Sequence, residues 1–317
     1  MISGFTGKFS RTFFRLHSSC RMLASVIIQA IAMTSGPVFA QSRVETSLQQ
    51  FSAEAAKGYI QPLADLTSTN LNSGFYNSAE IPYFGLHLRL DILVMGGLVT
   101  DEMKTYHAPL PSNFQGGSFE TATIVGGRGG IFINPFDSLS TYRGSDGIIS
   151  ATLIPLAVPQ LTLGALVGTE VTIRYFPLKS PAGEDLPDTK LFAFGIRHSI
   201  SSYVKTLPID IAIGYMYTRF QAEELIDYKG SLVALHASKS FSLLTLYGGI
   251  AWENGTLDGK YEDANQPTGT KVEVHLDAKN SARVTIGGKL SLGFFSFAAD
   301  ANIASVTSFT GGIGFEF

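Results

Sequence analysis

The feature that most limits this chain is an alternation of apolar with small or polar residues, repeated in segment after segment. Phe84, Leu86, Leu88, Leu90, Ile92 and Val94 alternate with Gly85, His87, Arg89 and Asp91. The same pattern returns in 165–175, 192–197, 209–218, 244–253, 283–292 and 296–303. A period of two puts all the apolar side chains of a strand on one face, whereas a helix would scatter them. Segments of about ten residues with one apolar face are the signature of transmembrane β-strands.

A soluble sandwich also alternates, and three features separate the two. The second face here is rich in Gly, Ala, Ser and Thr with scattered charges, where a water-exposed face would carry more Lys and Glu. Aromatic residues cluster near strand ends, at Tyr175-Phe176, Tyr215, Tyr217, Trp252 and Phe294-Phe295, as in an interfacial girdle. Connections alternate in length: short near Val158-Pro159-Gln160, 239–242 and Gly293-Phe294, long at 178–189, 221–229 and 254–280. The expected fold is an antiparallel outer-membrane β-barrel over 81–317, with ten to twelve strands and twelve favoured. Residues 100–146, with Pro109, Pro111, Pro135 and the glycine-rich 126–130, read either as one strand pair or as a long inserted loop.

Composition agrees. Charged residues make up only 15% and 33 of 317 residues are Gly, while mean hydropathy is +0.19. This excludes a disordered chain, and a net charge of −3 argues against a nucleic-acid partner. After residue 41 there is no apolar run of about 18 residues, so helical spans are not expected.

Residues 1–40 hold Lys8, Arg11, Arg15 and Arg21 without an acid, then the apolar run 23–32 and Val38-Phe39-Ala40. That is the layout of a secretory signal peptide cut after Ala40. Its removal would leave 19 basic against 26 acidic residues and take away Cys20, the single cysteine. Disulfides and thiol chemistry are then not expected.

The other terminus carries a second address. Thr310, Gly312, Phe315 and Phe317 form a polar-glycine-aromatic-aromatic ending that resembles the terminal signal of bacterial outer-membrane barrels. The resemblance implies recognition by the barrel-assembly machinery and residence in outer-membrane lipid.

Before the first strand, Val44, Leu48, Phe51 and Ala55 recur at helical spacing. They predict an amphipathic helix over 43–61, ended or bent by Gly58 and Pro62, with 63–66 as a further turn and 70–74 as a loop. The 41–80 segment is placed to fold into the lumen as a helical plug or hatch, or to lie as a surface helix at the periplasmic side. The polar residues expected to face the lumen are His87, Arg89, Asp91, Glu170, Arg174, Arg197, Asp210, Arg283, Lys289 and Asp300. Their mixed signs fit structural ion pairs across the lumen, or a polar path without preference for one ion.

Val158-Pro159-Gln160-Leu161, Gly168-Thr169-Glu170, Arg174-Tyr175-Phe176-Pro177, His198-Ser199, Leu207-Pro208-Ile209-Asp210, 237–240 and Tyr247-Gly248-Gly249 together resemble an uncharacterised family of outer-membrane barrels. That family is found mainly in Bacteroidota and related bacteria. The resemblance spans roughly 60–255 and extends to the whole mature chain, and it implies architecture and location but no site residue. A helical hatch before a barrel is also similar, at the level of fold, to long-chain fatty-acid transporters.

No HExxH or paired-histidine zinc spacing occurs among His87, His107, His198, His236 and His275. There is no GxSxG elbow, and the 126–130 glycines lack the lysine and hydroxyl ending of a phosphate loop. Asp258, Glu262 and Asp263 lack the spacing of a calcium loop and read as a solvated acidic loop. The expectation is no enzyme, no cofactor and no metal. Two functions stand side by side: a channel or transporter for small, including hydrophobic, solutes gated by its N-terminal segment, and a structural or surface-interaction barrel with a closed lumen. An outer-membrane hydrolase ranks below both.

Overall fold

The computed structural model describes residues 53–317 apart from 112, 113, 115, 116, 179–187, 205, 224 and 263–270. The expected signal peptide over 1–40 and the helical expectation for 43–52 lie outside the described residues. Helix α1 covers Ala53–Leu71. It is followed by β1 (Phe84–Leu98), β2 (Thr105–Pro109), β3 (Ser118–Ala122), β4 (Ile131–Asn134), β5 (Asp137–Arg143), β6 (Leu153–Leu166), β7 (Thr169–Leu178) and β8 (Thr189–Ser199). Then come β9 (Asp210–Ala222), β10 (Ile226–Phe241), β11 (Leu244–Glu262), β12 (Lys271–Asp277), β13 (Ala282–Leu292), β14 (Phe295–Ile303) and β15 (Ser308–Glu316).

Ten strands close a ring among the described residues: β1 pairs with both β6 and β15, and β10 with both β9 and β11. All ring pairings are antiparallel. The one extra strand, β12, continues the line of β13. Long β11 pairs β13 along its first half and β12 along its second, with the break at 278–281.

The favoured count of twelve is therefore corrected to ten. Residues 100–146 add no strands to the ring. They form a 3-10 turn (Asp101–Met103) and two separate hairpins, β2–β3 and β4–β5. Their prolines and glycines suit short bent ribbons rather than a continuous ladder.

Three connections also differ from expectation. Val158-Pro159-Gln160 lies inside β6, not in a turn. The expected loop 221–229 shrinks to the few residues between Ala222 and Ile226. Much of 254–280 is strand, so Asp258 and Glu262 belong to β11 rather than to a loop.

Burial in this ring is inverted. Phe84, Leu86, Leu163, Tyr175, Phe194, Ile213, Val233, Leu246, Ile286, Phe297 and Phe309 are exposed, and every ring strand contributes such a side chain. Leaving a large apolar side chain in water costs about 1.5–3 kcal/mol relative to burying it. Ten strands of them are stable only against hydrocarbon, which also demands a closed ladder. Phe176 departs from the expected girdle; it turns inward and packs on the core.

α1 lies within the ring, at the end where the β1–β6 insertion and the β7–β8 and β11–β12 connections emerge. Ala56, Tyr59, Ile60, Ala64, Leu66 and Leu71 form one apolar cluster with Leu93, Met95, Val158, Leu191, Leu257 and Leu276 from the inner faces of strands, and with Met103 and Ile124 of the insertion. The helix runs through Gly58 and Pro62, further than its sequence predicts. Pro62 forfeits a helical hydrogen bond to Gly58, but packing on all sides outweighs that loss. Gly58 itself is required, because a Cβ there would collide with the Tyr106 ring.

Candidate functional site in the lumen

The last turn of α1 contains no basic residue, so the orphan carbonyls and negative dipole end must find partners elsewhere. Two arginines of the wall supply them. Arg174 on β7 donates from Nη1 to Leu71 O (2.9 Å), from Nη2 to Ser73 O (2.7 Å) and from Nε to Gln160 Oε1 (2.8 Å). Arg283 on β13 donates from Nη2 to Thr69 O (3.1 Å) and from Nη1 to Ser73 Oγ (2.8 Å). Glu253 on β11 pairs with Arg283 at 3.0 Å and accepts from Asn72 Nδ2 at 2.9 Å.

The break between β12 and β13 is held by the same helix. Asp65 Oδ1 accepts from Lys279 N (2.9 Å), and Gln61 Nε2 donates to Asp277 O (2.9 Å). Asn280 Nδ2 donates to Thr69 Oγ1 (2.7 Å), while its Oδ1 accepts from Val306 N (2.7 Å). Backbone groups freed by the break thus bond to α1 or to β11, where Ala278 N donates to Gly255 O and Ser281 O accepts from Glu253 N.

Below α1 the chain descends toward β1 along the inner wall. Phe75 occupies a hollow made by Gly195 and Gly214, where any Cβ would strike its ring, with the Arg197 guanidinium 5.9 Å from the ring centroid. Tyr76 stacks on His236 at 4.0 Å and 12°. Arg197 Nη1 donates to Ser78 O (2.7 Å), and Ser238 Oγ accepts from Ala79 N (2.9 Å). Ser240 Oγ donates to Glu80 Oε2 at 3.3 Å.

The sequence-predicted residues fall into distinct places. Arg89, Asp91, Glu170, Arg174, Arg197, Arg283, Lys289 and Asp300 are buried, while His87 and Asp210 are half-buried at the mouth where the chain ends. Arg89 pairs with Asp91 (2.8 Å), Arg197 with Glu170, and Lys289 with Glu316 (2.6 Å). Asp300 accepts from Tyr247 Oη (3.0 Å) and Asn302 Nδ2 (2.6 Å). Glu253, Gln160, His236 and Glu316 were missed. Glu253 and Gln160 sit on the polar side of an alternating segment, which was the available signal. Buried Arg89 Nη2, Arg197 Nε and His236 Nδ1 bond to no protein atom, so polar capacity remains in the half of the lumen below α1.

Of the residues expected to form the assembly signal, Thr310, Gly312 and Phe315 lie in β15 and Phe317 directly follows it. Phe315 packs beside Phe295 (5.1 Å between centroids), and Phe317 is exposed and exchanges backbone hydrogen bonds with Leu88. Thr310 is buried on the inner face, and Gly312 lies against Leu93.

At the outer rim, His275 Nδ1 lies 2.6 Å from Asp258 Oδ1, and His275 Nε2 faces Asp277 at 3.6 Å. Two carboxylates flank this imidazole, and among the described residues no serine is bonded to it. His198 bonds Thr169 Oγ1 (2.8 Å) and Tyr203 Oη (3.0 Å). Among the described residues no group of three or more His, Cys, Asp or Glu side chains is placed to hold a metal ion.

The fold defines a class: an antiparallel β-barrel of the outer-membrane type with a helix inside it. Residues 19–317 match DUF6588, a family of unknown function, and the chain belongs to that family. No curated protein matches it. Among solved structures it is similar to a loop-deletion mutant of OmpT, an outer membrane protein of Vibrio cholerae (12% identity, 74% of this chain and 98% of that one, TM-score 0.28). It is also similar to Ail, the attachment invasion locus protein of Yersinia pestis (10%, 74% and 99%, 0.27), and to a Pseudomonas aeruginosa FadL homologue (9%, 82% and 96%, 0.26).

Proposed function

We propose that this barrel carries small apolar solutes through the outer membrane and that α1, with the segment to Ile81, is the plug that closes it at rest. The carrying observation is the division of the lumen. Around α1 the inner wall is apolar, through Leu93, Met95, Val158, Leu191, Leu257 and Leu276, where a barrel passing water and ions would carry polar residues. Below α1 the wall is polar and paired, and its arginines grip the backbone of the plug rather than a solute. The same reading takes the chain as exported with a cut after Ala40, inserted by the barrel-assembly machinery and surrounded by outer-membrane lipid.

It includes no catalytic step. In support, the rim histidine His275 has two carboxylate neighbours, and among the described residues no hydroxyl is bonded to it. A second reading, a structural barrel with a permanently closed lumen, is favoured by the number of bonds that hold α1. Planar-bilayer conductance and retention of a spin-labelled fatty acid, measured with and without residues 41–80, separate the two. Conductance or retention that rises on deletion supports the plugged transporter. Neither signal in either form supports the closed barrel.

A further inference from the structure

The two strands that α1 passes fix its direction. Along β10, Tyr228 Oη donates to Ser68 Oγ (3.1 Å), His236 stacks on Tyr76, Ser238 Oγ accepts from Ala79 N, and Ser240 Oγ donates to Glu80. Along the antiparallel β11 the order reverses: Gly259 faces Ile60, Gly255 faces Ser68, Glu253 bonds Asn72 and Gly249 faces Tyr76. Position in the plug therefore advances steadily from the end where the β1–β6 insertion emerges to the end where the chain terminates.

The short turns 167–168, 242–243 and 293–294 lie at the latter end, and in outer-membrane barrels short turns face the periplasm and longer loops the outside. The first turns of α1 thus stand at the outer opening. Glu54 and Lys57 are exposed there, whereas Ser68, Thr69 and Ser73 further along are completely buried.

The insertion holds that outer end. Tyr106 Oη donates to Ala55 O (3.0 Å), Ile124 N to Tyr59 O (2.9 Å), and Tyr59 Oη to Asp146 O (2.9 Å). The Tyr106 ring covers Gly58 so closely that no Cβ fits, and Met103, Ile124 and Val125 join the apolar cluster of the helix. Strand β2, the segment after β3 and the segment after β5 converge in this way on the first two turns of α1. The inner end is held by Arg174, Arg283 and Arg197 of the wall, and the chain then runs on into β1 at Phe84. Neutral hydrogen bonds at a solvated rim are weaker than the charge-assisted bonds of buried arginines, so the outer end is the one that opens first.

We infer that α1 is threaded into the lumen from the cell-surface side and that the β1–β6 insertion is its latch, so that the plug is released from outside rather than drawn into the periplasm. The latch rests on the reading of α1 as the resting plug; the direction of threading does not.

Threading is tested on intact cells. Cys20→Ser leaves the chain without cysteine, and single cysteines are then placed by Lys57→Cys or by Thr206→Cys, the latter exposed in the turn between β8 and β9. A maleimide too large to cross the outer membrane should label Lys57→Cys before permeabilisation and Thr206→Cys only after it. Any other pattern overturns the threading.

The latch is tested on the full chain by Tyr106→Ala, which removes the ring over Gly58 and the bond to Ala55. Amide exchange over 57–61 should rise about tenfold while exchange over 69–73 is unchanged. Equal changes in both segments, or none, overturn the latch. A locked form keeps the test independent of how that variant folds. A Cβ at Gly58 lies 3.2 Å from Cγ of Tyr106, so Gly58→Cys with Tyr106→Cys is within reach of a disulfide. Exchange over 57–61 should be slow in the oxidised form and fast after reduction, and fast exchange in both overturns the latch.

Planar-bilayer conductance separates the latch from the plug. Tyr106→Ala should conduct more than the unsubstituted chain. If the plug reading fails, labelling and exchange behave as stated while no form conducts or retains the spin-labelled fatty acid. If only the latch fails, deletion of 41–80 opens the barrel and Tyr106→Ala does not.

Discussion

Arg174 Nη1 donates to the carbonyl of Leu71 at 2.9 Å, across a separation of 103 residues. A wall residue of β7 thereby caps a helix that carries no cation of its own at that end, and its other two nitrogens hold Ser73 and Gln160. Arg174→Met leaves two buried carbonyls without donors, at a cost of about 1–3 kcal/mol each. Urea unfolding in detergent should show a loss of that order, and the segment after α1 should become protease-sensitive. Arg174→Lys should recover only part, since an ammonium cannot reproduce the planar three-way fork.

Glu253 and Arg283 form a fully buried ion pair that also bonds Asn72, Ser73 and Thr69. Glu253→Leu strands the guanidinium, and a destabilisation of about 3–5 kcal/mol is expected. A double-mutant cycle with Asn72→Ala should return a non-zero coupling energy. Additive costs would show that Glu253 acts on the wall alone.

Gly195 leaves the space that the Phe75 ring fills, whereas the nearest atom to a Cβ at Gly288 is at ordinary contact distance, 3.8 Å. Gly195→Val should expel Phe75 and raise single-channel conductance, while Gly288→Ala should leave conductance unchanged. Equal behaviour of the two variants would dissociate Phe75 from closure.

Asp146 ties the insertion to α1. Its carboxylate accepts from Gly129 N and pairs with Arg143, and its carbonyl accepts from Tyr59 Oη. The Gly129 N–H first, and Arg143 second, hold its carboxyl below the usual carboxylate range. A depressed pKa contributes stability above the unfolded value, about 4, and that contribution is lost as pH falls through the folded value. Limited proteolysis within 127–147 should therefore accelerate on acidification toward that range. Asp146→Asn should make cleavage independent of pH there.

Phe317 exchanges backbone bonds with Leu88 at the closure of the ring and adds an exposed aromatic next to the Phe295–Phe315 contact. Deleting it should lower the folded fraction in outer-membrane preparations far more than it lowers the urea midpoint of protein refolded in detergent. Equal effects on both would make Phe317 a stability residue rather than an assembly signal.

Much of the wall is legible in the chain because outward apolar residues recur at period two, as in Phe192, Phe194 and Ile196 or Phe297 and Ile303. The strand count was not, because the sequence of 100–146 carries strand-like residues whose partners are each other rather than the ring. Pro159 read as a turn because proline costs a central strand its donor. In β6 it faces a side with no ladder, so nothing is lost there. The length of α1 was hidden for a related reason: Pro62 breaks an isolated helix, but not one enclosed by a barrel.

By itself the sequence determined that one face of each strand meets lipid and the other does not, since alternation is a local property of the backbone. The export and assembly signals expected at its two ends are linear patterns as well. Only the tertiary structure decided that Arg174, Arg197 and Arg283 grip the segment within the lumen, that ten strands suffice, and that the β6–β7 pairing stops at Leu161↔Ile173, short of Pro159. Those outcomes depend on which residues face each other across separations of up to hundreds of positions. Partner and register are set by closing the ring around α1, and no local pattern encodes them.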